Sequence, residues 1–226
     1  DAENQFQRNG ADWTVNDLTE VSVTENGAAG KTDTSRLPSA IERWDEIHRM
    51  AAGRQWAVFL DYDGTLTPIV DDPDAAILSE KMHRTLKALS RQCLVAVISG
   101  RDLQDVRAKV GLENILYAGS HGFDISGPEL TYRHGLDFLP ALDRAQEKLK
   151  EKLRRIPGAR IERKTFSIAV HVRHVRSEDL ASVEPRVDAV LQETPSLKKG
   201  GGKKIFELKP DIDWHKGAAL MWMLDK

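Results

Sequence analysis

A single cysteine, Cys93, stands among 226 residues. One thiol excludes an internal disulfide framework and fits a reducing, cytoplasmic compartment. It adjoins an apolar run and reads as a buried, inert side chain. No stretch approaches the roughly 20 apolar residues of a transmembrane helix, and no signal-peptide pattern opens the chain. Charge of one sign is lacking too: 33 basic residues face 35 acidic ones, a net charge of -2. Nothing in that balance points to nucleic acid or a membrane surface. Residue 1 is Asp1 rather than Met, so the chain reads as a fragment or a processed product. A hydrophobic content of 40% is present, adequate for a real core. The length suits one large domain, or a core with a second one inserted.

Residues 1–37 are polar, without a sustained period, and read as a linker or disordered tail. Residues 38–54 look helical, with Ile41, Trp44, Ile47 and Met50 at helical spacing. The stretch WAVFLDYDGTLTP, residues 56–68, organises the rest of the chain. Trp56 to Leu60 form a short buried strand, and Asp61, Asp63, Gly64 and Thr65 make the loop that leaves it. A helix over 79–91 is capped by Ser79. A strand over 94–98 runs into Ser99-Gly100-Arg101. Asp102 opens a helix that Gly111 stops. A third strand, 115–118, ends in Gly119-Ser120-His121-Gly122. Strand, helix, strand, helix, strand predicts an α/β fold with a doubly wound parallel sheet.

The rhythm changes after residue 124. Two short extended pieces, a helix over 137–156, strands over 159–164 and 165–173, a helix over 177–193, a glycine-rich turn at 198–204 and a strand over 205–208 suggest a small α+β cap. The expected division is a core over 38–124, the cap over 125–208 and a return to the core over 209–226.

In open α/β sheets, ligands bind beyond the carboxyl ends of the strands. Two carboxylates delivered there can act as a nucleophile that forms an aspartyl-phosphate and as a general acid and base. Their mutual repulsion is relieved by a hard cation such as Mg²⁺. The Thr65 hydroxyl can donate to a phosphate oxygen. Ser99 can do the same, and Gly100 leads into a helix whose N–H groups and dipole favour an anion. Lys216, just before the last helix, can neutralise both the nucleophile and a transferred phosphoryl group.

The DxDGTLTP loop resembles that of haloacid-dehalogenase-like phosphatases. FLDYDGTLTPI, VISGRDLQDV, YAGSHGFDISGPE, IERKTFSIAVHVRHV and KIFELKPDIDWHKGAAL, in this order, resemble the trehalose-6-phosphate phosphatase family over about three quarters of the chain. The resemblance implies a Mg²⁺-dependent enzyme that hydrolyses a small sugar phosphate, trehalose 6-phosphate, through an aspartyl-phosphate. It assigns Asp61 as nucleophile and Asp63 as acid and base. The Asp61 carboxylate and the Asp63 carbonyl would hold Mg²⁺. Ser99 and Lys216 would bind phosphate; Glu162, Lys164 and Glu207 would hold sugar hydroxyls, with Arg101 and His121 lining the same cleft. His171 and Arg173 also match the family pattern and are expected to give structural support. The family's GDDxTDE-like segment is expected after the Lys216 helix and does not occur before Lys226. The expectation is therefore a core truncated at its C-terminus, a weakly held ion and little activity from residues 1–226 alone. An upstream trehalose-phosphate synthase domain is a possible partner. Another sugar phosphatase of the superfamily, and a non-catalytic regulatory domain, are the alternatives.

Overall fold

The computed structural model describes residues 38–70, 72–202 and 204–226. They fall into two compact units, one ending at Gln55 and one spanning Trp56–Lys226. The first carries α1 (Trp44–Ala51), with acidic residues in its first turn and basic ones in its last, the order that suits the helix dipole. Ala52 is extended and Gly53 left-handed, so this helix stops short of the expected residue 54. The expected linker over 1–37 lies outside the described residues.

The second unit begins with the expected alternation: β1 (Ala57–Leu60), α2 (Glu80–Leu89), β2 (Leu94–Ile98), α3 (Leu103–Val110) and β3 (Leu116–Gly119). Ser79 Oγ accepts from the Met82 N–H at 3.2 Å and caps α2. Gly111 ends α3 in the left-handed region, at φ 67. The three strands pair in parallel, in the order β1-β2-β3. Strand alternation sorts their side chains. Val95, Val97 and Tyr117 pack with Leu86 of α2 and Val106 and Val110 of α3. Ala96, Ile98, Leu116 and Ala118 face the other way, onto Ala219 and Met223 of the last helix. Helices on both faces make the sheet doubly wound, as predicted. β1 is less buried than expected because it is an edge strand of this sheet.

The cap boundary differs from the sequence reading. β4 (Asp124–Ser126) pairs antiparallel with β3, and β5 (Thr131–Arg133) pairs antiparallel with β4, so both extend the core sheet. Ile125 stands opposite Ala118 and is fully buried, packed with Ala219 and Met223. Local alternation marks a strand and says nothing about which sheet it joins, so the expected start at residue 125 fell too early.

The inserted unit comes next. It holds α4 (Leu139–Leu153), β6 (Arg160–Arg163), β7 (Ile168–His171), α5 (Ser177–Leu180), α6 (Val183–Gln192), β8 (Leu197–Gly202) and β9 (Ile205–Pro210). Its antiparallel sheet runs β6-β7-β9-β8. One face packs Ile168, Val170 and Leu208 against Leu142, Leu149 and Leu153 of α4 and Val183, Val187 and Val190 of α6. The other face carries Glu162, Ala169 and Glu207 in one cross-strand row. Two expectations change here. The helix over 177–193 is two helices, because the chain re-enters at Val183 and Pro185 is tolerated in a first turn. The glycine-rich stretch expected as a turn is the edge strand β8. It is held by its ladder to β9 and by Lys199, whose Nζ pairs with Glu184 and Asp188 of α6 at 2.8 and 2.6 Å.

The chain returns to the core at α7 (Lys216–Leu224). At the two crossings into and out of the cap, the rings of His134 and Trp214 stack at 4.0 Å, and Tyr132 stacks on Trp222 at 4.1 Å. No helix among the described residues is long and apolar enough to cross a membrane.

Candidate active site

The site is built where β1, β2 and β3 end. Tyr62, fully buried, anchors the first loop: its carbonyl accepts from the N–H groups of Leu66 and Thr67, both at 3.0 Å, and its hydroxyl donates to Ala76 O at 2.9 Å. With Tyr62 pinned inward, Asp61 and Asp63 on either side of it meet different cations. Asp61 Oδ1 accepts from the Tyr62 N–H at 2.8 Å and pairs with Lys216 Nζ at 2.9 Å. Lys216 opens α7, whose N-cap is His215: its Nδ1 accepts from the Ala218 N–H at 3.2 Å. Thr65 is exposed on the same loop.

Asp63 is gripped from another direction. Arg101 donates Nε to Asp63 Oδ2 at 2.8 Å and Nη2 to Asp63 Oδ1 at 2.7 Å. The same guanidinium reaches Asp105 at 3.0 Å and Pro73 O at 2.7 Å, and lies 5.3 Å above the Tyr62 ring. The hydrogen bond to Asp63, above all, holds Arg101 further above its ordinary range. Arg101 thus spends its donors on Asp63, Asp105 and a carbonyl.

The second and third strand tips are bonded to each other. Ser120 N–H donates to Arg101 O at 2.6 Å, and His121 N–H donates to Ser99 O at 2.8 Å. Ser99 is fully buried, its hydroxyl accepting from the Arg101 N–H at 3.1 Å. His121 takes a left-handed φ of 58 and lays its ring against Gly100, where a Cβ would meet it at 2.8 Å.

Beside these tips an open cleft separates core from cap. Ser120, His121, Phe123, Trp214 and His215 form the core wall. Phe166, Ser167, Glu207 and Lys209 form the cap wall. Glu207 accepts from Ser167 Oγ at 2.9 Å, and Phe123 stacks on Phe166 at 5.3 Å. Burial pushes the His121 imidazole below its ordinary range; Glu207 opposes this, while Lys216, Lys209 and Lys164 reinforce it.

Of the residues expected at the site, His121 and Glu207 line the cleft, and Asp61 and Lys216 form one ion pair. Glu162 shares the Glu207 row, two strands away, and pairs with His171 at 2.6 Å. Lys164 is half-buried at the end of β6, close enough for His121 to feel its charge. Sequence reasoning missed Phe123, Phe166, Ser167, Lys209 and Trp214. Lys209 was findable, since it lies two residues beyond Glu207 on a strand and so shares its face. The aromatic residues carried no signal that separates a cleft wall from a core.

The donor chemistry suits a hard cation on the Asp61 side, where both protein contacts fall on Oδ1. Among the described residues no group of three or more His, Cys, Asp or Glu could hold a metal by themselves.

Comparison with known proteins places this geometry. A sequence profile of the trehalose-phosphatase family matches residues 59–226. The trehalose-phosphate phosphatase of Mycobacterium tuberculosis (strain ATCC 25618 / H37Rv) is 40% identical over 223 residues, covering 97% of this chain and 56% of that protein. The chain thus spans about half the length of such relatives. The solved C-terminal domain of C. albicans trehalose-6-phosphate phosphatase superposes with a TM-score of 0.63 at 28% identity, over 76% of this chain and 62% of that one. A trehalose-6-phosphate phosphatase related protein shares the fold with a TM-score of 0.65 at 23% identity, over 74% and 73% of the two chains. The fold likeness extends to a haloacid dehalogenase-like hydrolase. With the family profile matched over residues 59–226 and 40% identity to a relative along 97% of its own length, the chain belongs to the trehalose-phosphatase family.

Proposed function

We propose that this chain is the phosphatase part of an enzyme that hydrolyses trehalose 6-phosphate to trehalose and inorganic phosphate. The observation that carries the reading is the Asp61–Lys216 ion pair at 2.9 Å beside a cleft lined by both core and cap. Lys216 pairs with the Asp61 carboxylate and draws the phosphoryl group toward it. Asp61 attacks phosphorus, the bond from phosphorus to the sugar oxygen breaks, and an aspartyl-phosphate forms. Asp63, which must enter this step protonated, gives its proton to the departing sugar oxygen. It then takes one from the water that attacks the same phosphorus and frees Asp61. For this, Arg101 must release an Asp63 oxygen, since both accept from it at rest. Ser99, Gly100 and Thr65 stand at the tips and loop that would face the phosphate. Mg²⁺ would be held by the Asp61 carboxylate and the Asp63 carbonyl; when bound it offsets negative charge on the phosphate oxygens. Glu207 and Lys209 on the cap wall, with Glu162 and Lys164 on the same unit, suit sugar hydroxyls, which donate to carboxylates and accept from ammonium groups.

Phosphate release by the full-length protein tests this. Trehalose 6-phosphate should be turned over in clear preference to glucose 6-phosphate, and Asp61→Asn should lower kcat by about 10⁴-fold or more. Equal turnover of the two sugars would replace the substrate. Binding of trehalose 6-phosphate with no Asp61-dependent turnover would make this a regulatory domain.

A further inference from the structure

Asp102 stands at the N-cap of α3, with φ -60 and ψ 148, where an aspartate ordinarily accepts from the first N–H groups of its own helix. Its carboxylate makes no such bond. It turns instead to two other segments. Oδ1 accepts from Ser120 Oγ at 2.7 Å, on the turn that carries His121. Both oxygens accept from the Thr165 N–H, at 3.2 and 3.1 Å, and Oδ2 lies 3.4 Å from Thr165 Oγ1. Thr165 belongs to the cap, between β6 and β7, with Lys164 before it and Phe166 and Ser167 after it.

Both sides of this contact are prepared. On the core side, a Cβ on Gly119 would lie 2.3 Å from Leu103 N and 2.9 Å from Asp102 C, so only a bare backbone lets α3 begin against the tip of β3. On the cap side, Arg163 Nη1 donates to the carbonyls of Lys164 and Thr165 while its Nη2 pairs with Asp143 of α4 at 3.0 Å. The carbonyls of the β6–β7 turn are thereby bonded within the cap, and the Thr165 N–H is left to bond across the seam. The Phe123–Phe166 stack is the apolar part of the same seam.

We propose that Asp102 is a positioning residue that seats the cap on the core, and that the cleft keeps its sugar-binding shape through it. It touches no reacting atom. Through Thr165 it sets where Lys164, Phe166 and Ser167 stand; through Ser120 it ties that placement to the turn bearing His121. This role presupposes that the cleft is the sugar site. It requires that loosening Asp102 harm substrates recognised by the cap and spare small phosphate esters handled by the core alone.

The experiment uses the full-length protein with Cys93→Ser and spin labels at Lys87→Cys in the core and Glu151→Cys in the cap. The label distance distribution without ligand is measured alongside turnover of trehalose 6-phosphate and of p-nitrophenyl phosphate. Asp102→Ala should broaden the distribution toward longer distances and raise KM for trehalose 6-phosphate about tenfold, with p-nitrophenyl phosphate turnover within about twofold of the parent. Asp102→Asn keeps one acceptor oxygen and the helix start, and should fall between parent and alanine variant. An unchanged distance distribution in both variants overturns the proposal, as do equal losses on the two substrates. If even the parent leaves trehalose 6-phosphate untouched while Asp102→Ala widens the distances, the seating role stands and the substrate reading falls.

Discussion

His121 is held in a conformation few residues other than glycine adopt, at φ 58, with its ring wedged on Gly100. Burial lowers its proton affinity first, with three lysine charges adding to the effect and Glu207 subtracting. The folded chain therefore binds fewer protons at this site than the unfolded chain does, from its lowered value up to about 6.5. Above that window the site costs nothing, and as pH falls through it the folded state loses stability. The melting temperature should drop between pH 7.5 and pH 5.5, and His121→Gln should drop less; parallel losses would place the effect elsewhere. The acidic pair of the first loop was legible because the whole DxDGTLTP run follows an apolar strand; two carboxylates alone at that place would read as an ordinary acidic turn. The destination of Arg101 was not legible. Expected among the cleft residues, it engages the Asp63 carboxylate, 38 residues away. A side chain that long reaches in many directions, and sequence spacing does not record which one it takes.

Among the elements, α7 matters most to the site, because its first residue is Lys216. Its approach to the core depends on Gly122, which combines φ 93 with a very close contact: a Cβ there would lie 2.2 Å from Ala219 Cβ. Gly122→Ala should cost about 2–4 kcal/mol in urea denaturation, the sum of left-handed strain and overpacking. By lifting the helix that presents Lys216 it should also weaken the ion pair with Asp61 and lower turnover. Full activity in a folded Gly122→Ala protein would show that α7 has slack the packing does not suggest. Most elements were readable from periodicity, with the start of α2 and both ends of α3 included, since Ser79 and Gly111 act through local backbone chemistry, whereas α2 stops at Leu89, short of the expected residue 91. The errors fell where local pattern is silent. Ile125 alternates correctly for either sheet, and β8 is a strand because β9 lies beside it, although Gly200, Gly201 and Gly202 have little strand preference of their own.

Across the second unit as a whole, the apolar interior is divided. The cap has a core of its own, with Leu142, Leu149, Ile168, Val187 and Leu208 fully buried among one another. The five-stranded sheet keeps two others, one on each face. Leu149→Ala should therefore cost about 2–5 kcal/mol within the cap. Faster amide exchange should be confined to residues 139–210, while β2 and β3 keep their protection. Exchange that accelerates in both parts alike would mean that the cap and the sheet open as one cooperative unit.

The stacked rings of His134 and Trp214 carry a consequence for protein engineering. The polypeptide leaves the sheet and comes back at nearly the same point, having made its whole excursion between two neighbours whose rings touch. A bridge of about four glycines and serines, each spanning up to about 3.5 Å, should close that gap and yield a miniature with the excursion excised. Such a miniature should retain the Asp61–Lys216 pair and cleave small aryl phosphates while having lost its preference among sugars.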